Sequence, residues 1–116
     1  MKAVLINVKD RTVTDVEIKG KVLNQWYKLL NCHLVTIGTY LDDHDSIMVD
    51  DEGLFGLDSE SMFFTFKGAH QPFAGNGLIV GVDDEGNSVS PNVTANDVRS
   101  KIKFHTLSEV SDLVEF

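Results

Sequence analysis

Residues 34–57, LVTIGTYLDDHDSIMVDDEGLFGL, limit the fold more than any other part of the chain. Two apolar, β-prone runs at 34–41 and 47–49 are joined by Asp42-Asp43-His44-Asp45, and a second acidic knot, Asp50-Asp51-Glu52-Gly53, follows at once. Turn formers between β-branched and aromatic runs are a hairpin signal, because Asp and Gly bend the chain where its neighbours stay extended. The interior Gly38 marks a bulge or a close backbone approach within the first run.

The flanking sequence extends the β pattern. Residues 2–9 and 12–19 alternate around a turn at Asp10-Arg11 and read as an antiparallel pair. Residues 21–31, KVLNQWYKLLN, change to helical spacing, with Val22, Trp26, Leu29 and Leu30 on one stripe and Asn31 at a left-handed C-terminal position. Trp26 and Tyr27 lie on the stripe a helix must bury. Core packing therefore explains them better than a stacking platform does. Residues 62–66, MFFTF, are too aromatic to stay in water and form a strand or a tight helical turn. Residues 77–82, GLIVGV, read as a central strand, and 83–87 as another acidic turn, with 88–90 pairing back briefly.

Near the C-terminus, Thr94 and Asp97 resemble a capping box and predict a helix over 95–104 that buries Val98, Ile102 and Phe104. Thr106 and Glu109 repeat the signal. Leu107, Val110, Leu113 and Val114 then predict a last helical turn or two. The expected architecture is α+β: a mostly antiparallel sheet of five or six strands in a single domain, 1–116, with one central and one C-terminal helix packed on it.

Charge is uneven. The net value is −8, yet residues 1–31 are basic on balance, and 32–66 hold eight Asp/Glu and no Lys or Arg. With no basic stripe to displace counterions, direct nucleic-acid binding is not expected. A basic partner surface fits better. The ordinary alternative is that acidic turns keep a β-rich protein in solution. Cys32 is the one cysteine, which excludes an internal disulfide and reads as a small buried hydrophobe. The N-terminal apolar run is interrupted by charge too early for a signal peptide, and no run reaches membrane-span length. The cytoplasm is the expected compartment.

No catalytic residue, cofactor or metal site is assigned from the sequence. The EF-hand spacing is absent, Gly81 and Gly86 do not form a phosphate-cradling motif, and the adjacent Cys32 and His33 point apart in an extended chain. Residues 67–76, KGAHQPFAGN, form the longest irregular stretch. His70, Gln71, Phe73 and Asn76 are its ligand candidates, since function concentrates on loops.

Two motifs, IMVDDEGLFGL at 47–57 and GNGLIVGVDDEGN at 75–87, resemble an uncharacterised small-domain family of bacteriophages and mobile bacterial elements. The order of elements matches over about 1–90, whereas the segment 59–66 departs from the family pattern. The resemblance implies a phage-type accessory product in a bacterial cytoplasm, and implies no activity.

Three functions follow in order of preference. The first is a non-enzymatic protein that inhibits a host factor, such as a defence protein or one that binds nucleic acid. Its means is an acidic face made by Asp42, Asp43, Asp45, Asp50, Asp51 and Glu52. The second is a small-ligand binder that sequesters a nucleotide-like signal in a pocket of the 67–76 loop with Trp26, Tyr27 or Phe73. Lys67 and Arg99 are its cations, and a homo-oligomer helps to enclose it. The third is a metal-dependent enzyme, for which no constellation stands out.

Overall fold

The computed structural model describes residues 1–20, 22–69 and 71–113. The alternating N-terminal runs form the expected hairpin, β1 (Lys2–Asn7) with β2 (Thr12–Glu17), in register from Lys2↔Glu17 to Asn7↔Thr12. A helix, α1 (Val22–Leu30), follows and ends at Asn31, whose φ of 52° is the left-handed position its residue type tolerates. Lys21, the expected first residue of that helix, lies outside the described residues.

The organising stretch forms β3 (Val35–Tyr40) and β4 (Asp45–Asp50), paired antiparallel with a register shift between Ile37 and Thr39. Gly38 sits at that irregularity and is also a close approach. A β-carbon there would lie 2.9 Å from Cε1 of Phe73 and 3.2 Å from the methyls of Val49. β4 is longer than expected, so Asp45 and Asp50 belong to the strand and only Asp42, Asp43 and His44 make the turn.

Next come β5 (Met62–Phe66), β6 (Phe73–Ala74), β7 (Gly77–Val82) and β8 (Ser88–Val89). A short helix, α2 (Ala95–Val98), and one 3-10 turn (Arg99–Lys101) then lead into β9 (Ile102–Thr106) and α3 (Leu107–Leu113). The helix expected over 95–104 is thus corrected. It stops after Val98, and Ile102–Thr106 is a strand. The reason is non-local: β5 needs an antiparallel partner for its backbone groups, and IKFHT alternates with period two, which suits a strand beside it. The last helix is present, capped as expected: Thr106 N–H donates to Glu109 Oε1 at 3.1 Å, and Glu109 N–H to Thr106 Oγ1 at 3.3 Å. Val114 lies outside the described residues.

The sheets number two rather than one. Six strands form the larger, in the order β2-β1-β7-β4-β3 with β8 also paired to β7. A three-stranded sheet has the order β6-β5-β9. Every pairing is antiparallel, and β7 is central, as its run of apolar residues requires.

Alternation sorts the core. From β1, β7 and β4, the side chains of Ala3, Leu78, Val80 and Met48 meet α1 through Trp26 and Leu30. Val4, Ile6, Ile79, Ile47 and Val49 face the other way, onto Phe64, Phe66 and Phe73 of the small sheet. Phe63 points away from that interface, with Ala74 and Val110 of α3. The molecule is therefore four layers: α1, large sheet, small sheet, α3. The C-terminal helix packs on the small sheet, not on the main one. Phe63 and Phe64 are both fully buried, each worth roughly 1.5–3 kcal/mol of apolar transfer. Trp26 and Cys32 are buried in the α1 layer, as core packing requires.

Candidate functional site

The acidic turns share one local construction. The first Asp of each knot bends the chain by accepting backbone N–H groups two or more residues ahead. Asp42 Oδ1 accepts from His44 at 2.8 Å and Asp45 at 2.7 Å. Asp50 Oδ1 accepts from Glu52 at 2.9 Å, and Asp83 Oδ1 from Glu85 at 2.9 Å and Asn87 at 2.8 Å. These donors stabilise the ionised carboxylate. The pKa of Asp42 is lowered first by the N–H of Asp45, and that of Asp83 first by the N–H of Asn87. The acids that follow, Asp43, Asp51, Glu52, Asp84 and Glu85, are exposed. Among the described residues no Lys or Arg pairs with any of them.

Of the six carboxylates expected on one face, five remain accessible. Asp45 leaves the set: it is 1% exposed and accepts the N–H groups of Asn92 and Val93 as well as contacting His44 Nδ1 at 2.5 Å. The remaining five divide between the two ends of β4. Asp42 and Asp43 precede it, while Asp50, Asp51 and Glu52 close it, roughly 17 Å away at a strand rise of about 3.3 Å per residue. The first end gains a neighbour that sequence order conceals. Val82 N–H donates to the carbonyl of His44 at 2.8 Å, which sets the Asp83–Glu85 turn beside Asp42 and Asp43.

Of the ligand candidates, Gln71 and Phe73 line one concavity and Asn76 another. Phe73 is buried against Phe64, with ring centroids 5.2 Å apart, on the opposite side of the large sheet from Trp26. Asn76 is engaged: its Oδ1 accepts Val8 N–H and its Nδ2 donates to the Leu29 carbonyl, both at 3.0 Å. Gln71 is exposed, and His70 lies outside the described residues. Arg99 donates to the Val13 carbonyl at 2.7 Å and to Asn96 at 2.6 Å, so its guanidinium is engaged beside β2. The large sheet separates Trp26 from Phe73, so a concavity beside the 67–76 loop draws on Phe73 and not on Trp26.

Three open concavities matter. One of ≈ 660 Å³ lies where the β1–β2 turn, the end of α1 and the 53–61 segment meet, with Lys9, Asn31, Asp50, Glu60 and Ser61 among its walls. Two smaller ones flank β3. One, of ≈ 280 Å³, is lined by Ile37, Leu54, Phe55 and Pro72, and the other, of ≈ 350 Å³, by Tyr40, Leu41 and Lys67. No group of three or more His, Cys, Asp or Glu suited to a metal ion occurs among the described residues. The Cys32 thiol pKa is raised, mainly by burial, which leaves it a poor nucleophile.

Residues 1–103 match a family described as a domain of unknown function, DUF3846. The chain belongs to that family. No curated protein and no solved structure matches it. The matched region of the DUF3846 chain takes in the large sheet, α1, all the acidic turns and the β3 edge, and stops within β9, before α3. Among the described residues no helix is long and apolar enough to cross a membrane. Among the described residues no strand pairs with the outer side of β3, a feature that sequence reasoning passed over. Its local sign was the absence of charge from 34–41, but that pattern does not tell an edge strand from a central one.

Proposed function

We propose that the protein is a non-enzymatic binding module that occupies a basic surface of another protein through its acidic turns. The observation that carries this reading is the set of exposed carboxylates at both ends of β4 with no described Lys or Arg partner. Unpaired surface charge of one sign speeds association with a surface of the opposite sign and makes it sensitive to salt. The setting we propose is a phage-type accessory product that blocks a bacterial host factor, including one that normally holds nucleic acid. Support for that setting is the resemblance carried by residues 47–57 and 75–87.

The test uses a variant with Asp43, Asp51, Glu52, Asp84 and Glu85 replaced by Asn or Gln, leaving the turn-building Asp42, Asp50 and Asp83 intact. Wild-type protein captures a basic host protein from bacterial lysate at low salt and releases it at high salt. The variant captures none. Equal capture by the variant overturns the reading.

The ≈ 660 Å³ concavity supports a second reading, a small-ligand binder, because its size suits a small molecule. Among the described residues on its walls, Asp50 and Glu60 oppose the single cation Lys9, which counts against an anionic nucleotide. A thermal-shift screen with nucleotides decides it: stabilisation supports a nucleotide site, and an unmoved melting temperature removes it.

A further inference from the structure

We infer that β3 is a docking edge that takes an extended partner segment as an added strand, apolar in its middle and basic at both flanks. This deepens the proposed binding role and rests on it. β3 is an edge strand of the large sheet, at the opposite end from β2. Leu34 accepts a hydrogen bond from Asp51 N–H, and Leu41 N–H donates to the Asp45 carbonyl. Alternation along an antiparallel strand then aims the N–H and C=O of Val35 and Tyr40 at the open side.

Proteins normally blunt such edges with charge, proline, short length or a covering segment. The other edges here follow that rule. At β2, Arg99 donates to the Val13 carbonyl and Asp15 accepts Ala95 N–H at 2.9 Å, which lays α2 against the strand. β6 and β8 are two residues long, and β9 carries Lys103. β3 has six residues, no charge and no proline, and its single irregularity at Gly38 is the one protective device.

Beside the edge lie pockets for a partner's side chains. Ile37, Leu54 and Phe55 share a groove, with Leu54 57% and Phe55 75% exposed. Tyr40, 70% exposed, borders the second groove. Backbone pairing supplies affinity in strand addition, and side pockets supply selectivity.

Charge selects the occupant. Asp42 and Asp43 stand at one end of β3, and Asp51 and Glu52 at the other. Antiparallel pairing of two copies through β3 sets each acidic end against the opposite acidic end of its mate, so repulsion disfavours self-association. A foreign segment with Lys or Arg at both flanks meets attraction at both.

The experiment uses a synthetic peptide with an alternating Val/Thr centre and two Lys at each end, with amide hydrogen exchange on the full chain. Two control peptides keep the length and the apolar centre. One is N-methylated on alternate backbone nitrogens and the other has Asp flanks. The expected result is binding of the first peptide alone, with the Val35 and Tyr40 amides slowed about tenfold or more. Ile37→Lys and Tyr40→Lys, each checked for an unchanged melting profile, abolish that binding. Equal binding of the N-methylated peptide, protection confined to the acidic turns, no binding, or a dimer joined through β3 each overturn the inference. If the edge variants still capture the basic lysate protein while the acid-neutralised variant does not, strand addition falls and the acidic reading stands. If neither variant loses capture, both fall.

Discussion

The buried carboxylate of Asp45 accepts the backbone N–H of Asn92 through both oxygens, at 3.0 and 2.9 Å, across 47 residues of sequence. Val93 N–H adds a third bond at 3.1 Å. One side chain at the start of β4 thereby fixes the segment that leads into α2. Removing it takes the acceptor from two part-buried backbone donors, a loss of about 0.5–1.5 kcal/mol for each hydrogen bond. Asp45→Ala is expected to lose roughly 1–3 kcal/mol of stability and Asp45→Asn somewhat less, read from urea denaturation midpoints. A loss under about 1 kcal/mol for Asp45→Ala, the range of an ordinary surface position, contradicts this role.

Gly77 lies where the two sheets approach closely. A β-carbon there would lie 2.6 Å from Cζ of Phe64 and 3.2 Å from a methyl of Ile47. Phe64 is fully buried and has no room to retreat. Gly77→Ala is therefore expected to destabilise by about 1–3 kcal/mol through overpacking. In the double variant Gly77→Ala with Phe64→Leu, the two costs should be less than additive, because the smaller side chain vacates the contact. Strict additivity would separate the two residues.

Acid should weaken the fold through its turns. Asp42 and Asp83 have pKa values below their ordinary 3.8, each chiefly from backbone N–H donors, and Glu109 lies below its ordinary 4.5 through Thr106 N–H first. A carboxylate with a lowered folded pKa contributes stability in full above its unfolded value and loses it as pH falls through the folded one. The stability difference between wild type and Asp42→Asn/Asp83→Asn should be constant above about pH 5 and shrink steadily below about pH 4. A difference that persists unchanged into strong acid would assign the turns to shape alone.

The local pieces were legible because their causes are local. Alternation in 2–9 and 12–19 set the first hairpin, helical spacing placed Trp26 in the core, Asn31 closed α1, and the Thr106–Glu109 reciprocity opened α3. The segment 95–104 misled for the complementary reason. Its first turn carries a true start signal, Thr94 N–H donating to Asp97 Oδ2 at 2.7 Å, but its second half is claimed by β5, some forty residues away.

The sequence by itself determined the α+β class, the acidic turns and the uncharged run at 34–41, because each depends on residues within a few positions of one another. Only the tertiary structure decided that the strands divide into two stacked sheets, that Asp45 turns inward while Asp83–Glu85 joins Asp42 and Asp43, and that β3 ends the sheet with its edge open. Strand order and burial are set by which distant apolar faces meet and which backbone groups find partners, and those choices are made across the whole chain rather than within any stretch of it.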